Sequence, residues 1–188
     1  MFDVLALWVP ILVAALSTYV ASMIVWMVLP HHKSDYVALP DEEVASATLR
    51  AQRLKPGMYC LPHCADFSQM KDPQFIERMN QGPVGFLTIA QNGLPKMGKL
   101  MFKQFLFFLI GATLIAYVVS MASPADMTYM ERFRLTSAVA FLAFGYGVIP
   151  EGIWYGRKCS TILKFLGDAL LYALVVAGVF GWLWPSLS

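Results

Sequence analysis

The chain has 188 residues, of which 58% are hydrophobic and 14% charged, with a mean hydropathy of +0.59; a soluble domain has about 45–50% apolar and about 25% charged residues. Its net charge is only +2, and the cations are spread along the loops, which excludes the polybasic footprint of a nucleic-acid binder. The expected fold class is an all-α membrane protein with four transmembrane helices and a small α+β cytoplasmic insertion between the first two.

A hydrocarbon layer of about 30 Å takes about 20 helical residues to cross. The first segment that meets this length is Leu5–Leu29. It opens "MFDVLALW" without a basic n-region, and its apolar run continues as "MIVWMVL" past the small residues that would mimic a cleavage site. It therefore reads as a retained anchor rather than a signal peptide. Pro30 stops it, and "LPHHKSDY" brings His31, His32 and Lys33 to the headgroup layer. An interfacial collar on lipid phosphate is the expectation there, with metal binding or pH sensing as the alternative, because an unperturbed imidazole titrates near neutrality.

Residues 30–99 form the one sizeable piece outside the spans. "LPDEEVASATLRAQRL" reads as a short helix with Asp41, Glu42 and Glu43 in its first turn, where the helix dipole favours acids. "KPGMYCLPH" begins with a Pro-Gly break and continues with strand character. In "KDPQFIERMNQG", Asp72 caps a helix, Pro73 takes its first position and Gly82 follows its end. "VGFLTIAQNG" is the best strand candidate, and Asn92-Gly93 signals a tight turn. Helix, strand, helix, strand and turn make a thin cap, with so few large apolar side chains that it is expected to lean on the bundle or on a partner.

The second span is Leu100–Ala122 and the third Arg134–Ile153. Near the end of the third lies Glu151, where Pro150 removes a backbone donor and Gly147, Gly152 and Gly156 allow a bend. The fourth, Thr161–Trp184, carries Asp168 with Lys164 and Tyr172 one turn to either side. Intramembrane carboxylates are costly and are usually paired or functional. The expectation is that Asp168 pairs with Lys164 and Glu151 with Arg157; the alternative is a proton or ion site in which Glu151 and Asp168 face each other. Along the fourth span, Ala169, Ala173, Ala177 and Gly181 recur at every fourth position, and Gly152 and Gly156 repeat that spacing. Such stripes let another backbone approach closely, from this chain or another.

Charge bias sets the orientation. Lys33, Lys96, Lys99, Lys103, Arg157, Lys158 and Lys164 flank the first and third loops, against Arg132 and Arg134 beside the second, a count of seven to two. The first and third loops are then cytoplasmic, both termini periplasmic, and Trp182 and Trp184 sit in an outer aromatic belt.

"YCLPHC" gathers Cys60, His63 and Cys64, and His31 or His32 would supply a fourth ligand for zinc, all on one side of the membrane. The C-x-x-H-C spacing fits no standard zinc ribbon or finger and is not the C-x-x-C-H of haem attachment. A disulfide between Cys60 and Cys64 would be kept reduced in the cytoplasm, so the thiols are expected to be small apolar groups under the cap. No histidine lies within a span to hold haem between helices, and HExxH, GxSxG, P-loop and Rossmann motifs are absent.

At "LPHHKSDY", "LKPGMY", "NGLPKMGK" and "DALLYALVVAGVFGWLWP" the chain resembles small bacterial four-span membrane proteins. The resemblance covers most of the length and implies a bacterial inner-membrane location; it implies no reaction and no site residue. The functional expectation is a non-catalytic accessory or assembly subunit of a larger membrane complex, partnered by lipid and by other subunits or copies of itself, with no cofactor. The alternatives are an inner-membrane metalloprotein or enzyme that binds zinc at Cys60, His63 and Cys64, and a small oligomeric transporter that uses Glu151 and Asp168.

Overall fold

The computed structural model of the protein describes residues 4–124 and 126–185. It is mostly helical, and four of its helical stretches are long and apolar enough to cross a membrane: Trp8–Val28, Met97–Ala122, Tyr129–Trp154 and Cys159–Leu183. Chain contacts divide it into two units. One comprises the described residues up to Asp35, Pro95–Ile153 and those from Arg157 onward; the other comprises Tyr36–Leu94 with Trp154–Gly156.

In the first unit, α1 (Trp8–Met23) continues as a π-helical turn over Ile24–Val28, closed by a Leu29 N–H to Ile24 carbonyl bond of 3.1 Å. Pro10 is accepted in α1 because the first-turn N–H groups have no intrahelical partner. Helix α4 (Met97–Ala122) has 26 residues, which rise roughly 39 Å at about 1.5 Å each, enough to span the apolar layer. Helix α5 (Tyr129–Phe144) starts with a capping box between Thr128 and Glu131.

The bend expected near Pro150 occurs one turn earlier. A tight turn at Tyr146–Val148 separates α5 from the short α6 (Ile149–Trp154), because Pro150 has no N–H to offer the carbonyl one turn before it. The last helix, α7 (Cys159–Leu183), begins two residues before the expected start.

The small-residue stripe of α7 packs inside the chain. Ala169, Ala173 and Ala177 are fully or almost fully buried, and α7 packs most extensively against α5. A Cβ added at Gly145 would lie 2.8 Å from the Ala169 Cβ, and one at Gly181 would lie 2.6 Å from the Tyr129 ring. In lipid, where no hydrophobic drive joins helices, this close approach is what holds α5 to α7. Gly152 approaches Ile162, whereas Gly156 meets nothing within 4 Å; its φ of +68° marks it as a turn glycine rather than part of a packing stripe. The expected outer pair of tryptophans is also split. Trp182 is exposed, but Trp184 is buried, with the Arg132 guanidinium 5.2 Å from its ring centre.

The second unit holds α2 (Glu42–Ala51), β1 (Gly57–Leu61), α3 (Pro73–Gln81) and β2 (Gly85–Ile89), in the expected order. Asp41 is the cap of α2 rather than part of its first turn, accepting from the Val44 N–H at 2.9 Å. The strands pair antiparallel with Tyr59 opposite Leu87. Phe75 is the one fully buried residue among the described residues of 36–94, so the core of this unit is as thin as its composition implies.

If the Gly145 contact sets the α5–α7 spacing, Gly145→Val should lower the thermal stability of the detergent-solubilised protein by about 1–3 kcal/mol, the usual cost of overpacking. Gly167→Ala, where a Cβ meets nothing within 4 Å, should leave the melting temperature unchanged or slightly raised.

Candidate metal centre

The π-helical turn and Pro30 carry the chain out of α1 into a 3-10 turn, His31–Ser34, with Asp35 at its end. This short segment lies against the first three turns of α7. Thr161, Lys164 and Asp168 recur at intervals of three or four, so they share one face of that helix. Four side chains of one segment thereby meet three of the other.

The contacts are specific. Asp168 uses both carboxylate oxygens, Oδ1 at 3.0 Å from His31 Nε2 and Oδ2 at 2.7 Å from His32 Nε2. The opposite nitrogen of His32, Nδ1, lies 2.6 Å from Asp35 Oδ2. The other Asp35 oxygen accepts from Lys164 Nζ at 2.7 Å and Thr161 Oγ1 at 3.1 Å, and Lys164 also donates to Ser34 Oγ at 2.8 Å. His32 stacks on Trp26 with ring centres 4.0 Å apart and an interplanar angle of 6°. His32 and Asp168 are each 8% exposed.

This arrangement fixes the protonation of His32. A neutral imidazole offers one N–H and one lone pair, whereas ionised carboxylates only accept. With a carboxylate oxygen on each ring nitrogen, both contacts are satisfied only when His32 carries two N–H groups. Burial lowers its pKa, but the hydrogen bonds to Asp35 and Asp168 and their charges outweigh that effect and leave it raised above the ordinary 6.5. Asp35 is held down to about 2, first by the Lys164 hydrogen bond and then by that from His32, against an opposing contribution from burial. Lys164 and the His32 imidazolium thus balance the charges of Asp35 and Asp168.

The same atoms form a ligand set. One donor atom each from His31, His32 and Asp168 lie within 4.8 Å of one another, a group able to hold a metal ion. Once His32 gives up the proton on Nε2, that nitrogen becomes a ligand while Nδ1–H still donates to Asp35. A carboxylate that accepts from the far N–H of a metal-binding histidine is usual in such sites, and it fixes the tautomer and ring orientation.

Several expectations change here. Asp168 does not pair with Lys164, because the 31–35 segment intervenes and takes both: His31 and His32 bind the acid, Ser34 and Asp35 the base. His32 is buried rather than part of a lipid-facing collar. Glu151 approaches Arg157 at 3.9 Å as expected, in an exposed pair of little energetic weight. Among the described residues no hydrogen bond or ion pair joins Glu151 to Asp168.

Cys60, His63 and Cys64 do not converge into a metal-binding group among the described residues. Their sulfurs point to carbonyls instead, Cys60 Sγ to Pro62 O at 3.6 Å and Cys64 Sγ to Asp66 O at 3.0 Å. Nor are these thiols buried apolar groups, since Cys60 is exposed and Cys64 partly so. Asp35 went unnoticed in the sequence as a member of the site. Its spacing of three from His32 was a usable signal, as was the match between that segment and the i, i+4 pair Lys164 and Asp168.

In the metal-free protein the pH dependence follows from the raised pKa of His32. The stabilisation it gives to the 31–35 segment on α7 is complete below about 6.5 and is lost as pH rises through the higher folded-state value. In NMR spectra of labelled histidine, one imidazole should titrate above 6.5, disappear in His32→Gln and move down in Asp35→Asn. A His32 that titrates below 6.5 would contradict the two-carboxylate arrangement.

A scan against protein-family models matches none, and searches of curated proteins and of solved structures return no match.

Proposed function

We propose that the protein is a multi-pass inner-membrane metalloprotein that binds a divalent transition metal of the zinc class through His31, His32 and Asp168, just beyond the end of its first span. The single observation that carries this reading is the convergence of three ligand atoms from two distant parts of the chain, with Asp35 seated behind His32. Two imidazoles and a carboxylate suit zinc and its neighbours, whereas magnesium and calcium prefer all-oxygen sites. Three protein ligands leave a coordination position for water or a substrate, the pattern of catalytic rather than structural zinc.

The count of seven cations to two supports a cytoplasmic face for this end of the bundle and a periplasmic location for both termini. The accessory-subunit reading keeps the thin core of the second unit as support but not the stripe on α7, which α5 of the same chain covers. A transporter built on Glu151 and Asp168 loses the pairing it required, since the two acids have separate partners. The metal site is the metalloprotein alternative of the sequence moved to a different set of ligands.

Elemental analysis of protein purified from zinc-supplemented cells without chelator should give close to one metal ion per chain. Asp168→Asn should remove most of it. Asp35→Asn, which alters the bond behind His32 and no ligand, should weaken affinity by about 10–100-fold, while Cys60→Ser and Cys64→Ser should change nothing. Less than a tenth of an ion per chain, with no binding on titration of zinc at pH 8, rejects the reading.

A further inference from the structure

Asp168 stands at the edge of a second feature that the metal reading does not use. A cavity of about 490 Å³ opens between α1, α4, α5 and α7, within the range of small-molecule sites. Its walls are mainly aromatic, Trp26, Phe107, Phe108, Phe144 and Phe165 among them, and its polar side chains are Asp168 and Tyr172 in the interior with Ser22 and Gln104 beside them. Phe107 and its neighbour on the rim, Leu100, are about half exposed on the outer surface of α4, where a spanning helix meets lipid. That rim suits an occupant drawn from the bilayer.

Tyr172 is 8% exposed; the Trp26 indole stands beside its hydroxyl oxygen as a donor, and among the described residues no acceptor lies within hydrogen-bond distance of the hydroxyl's own proton. A buried hydroxyl proton without an acceptor is costly, and an acyl chain cannot supply one. The nearby carboxylate of Asp168 is already bonded through both oxygens to histidines. Its charge disfavours anionic heads. What fits is a neutral, flat molecule with a hydrogen-bond acceptor, able to stack on aromatic walls.

We propose that this cavity binds the ring of a lipid-soluble para-quinone, one carbonyl oxygen accepting a hydrogen bond from Tyr172 while the ring packs among Trp26, Phe107 and Phe165. This is a binding site, with no electron transfer implied; it borders the metal centre at Asp168 but does not require an ion there.

The test uses the full chain in nanodiscs of saturated phosphatidylcholine, titrated with a decyl-tailed benzoquinone while tryptophan fluorescence is followed. A quinone in contact with an indole quenches it, and Trp26 forms part of the wall. Saturable quenching is expected, lost in Trp26→Phe and unaffected by excess decanol, with a Kd about fivefold weaker in Tyr172→Phe. Should Tyr172→Phe lose its helical circular dichroism, Phe107→Leu, a change at the half-exposed rim, should weaken binding in the same direction. Quenching that rises linearly without saturation, that persists in Trp26→Phe, or that decanol abolishes overturns the proposal, as does a Kd unchanged in a folded Tyr172→Phe or, where that variant does not fold, in Phe107→Leu. Metal content measured on the same samples separates this outcome from failure of the metal site.

Discussion

The Asp168 carboxylate is the constraint around which the bundle is arranged. A charge on a spanning helix is costly unless it is compensated, and an unpaired buried carboxylate costs far more than its pairing returns. Here both oxygens are compensated, one by each of two adjacent histidines that lie 137 and 136 residues away in the chain. A pair of bonds from one carboxylate to neighbouring side chains fixes distance and rotation together. The chain leaving α1 is thereby docked on α7 at a defined depth, and Asp35 and Lys164 are brought into register as a second tie.

That docking needs the helices to be placed independently of it. Gly145 and Gly181 let α5 approach α7 more closely than any residue with a Cβ would, and the alanines of α7 fill the contact without rotamer freedom to lose. At the other junction, the π turn inserts its wider ring before Pro30 ends the span. Such turns are often found beside functional sites. Here the turn carries Trp26, which stacks on the imidazole that bridges the two acids.

Charge balance gives the site its chemical character. Two carboxylates face one lysine and one imidazole whose second proton completes neutrality. A divalent cation would replace that proton and add a positive charge, drawing on His31 as a further neutral ligand. Proton and metal thus compete for the same nitrogen, and Asp35 serves both states because it holds Nδ1–H in each. Beside this polar knot lies an aromatic cavity that shares Trp26, Phe165 and Asp168 with it.

The sequence by itself determined the membrane class, the four spans and nearly every element of the cap. These follow from local rules: apolar length for the spans, Asp72-Pro73 and Gly82 for α3, and strand composition for β1 and β2. It also marked Asp168 as a costly intramembrane carboxylate and placed His31 and His32 at the membrane boundary. It misassigned their partners, because i, i+4 neighbours such as Lys164 are visible in one dimension, whereas a segment 130 residues away is not. Local density likewise drew attention to Cys60, His63 and Cys64, three donors in five residues that never converge among the described residues. Only the tertiary structure decided which donors meet, because a ligand set depends on where helix ends land in space, here the end of α1 against the first turns of α7, and not on the ligands' spacing along the chain.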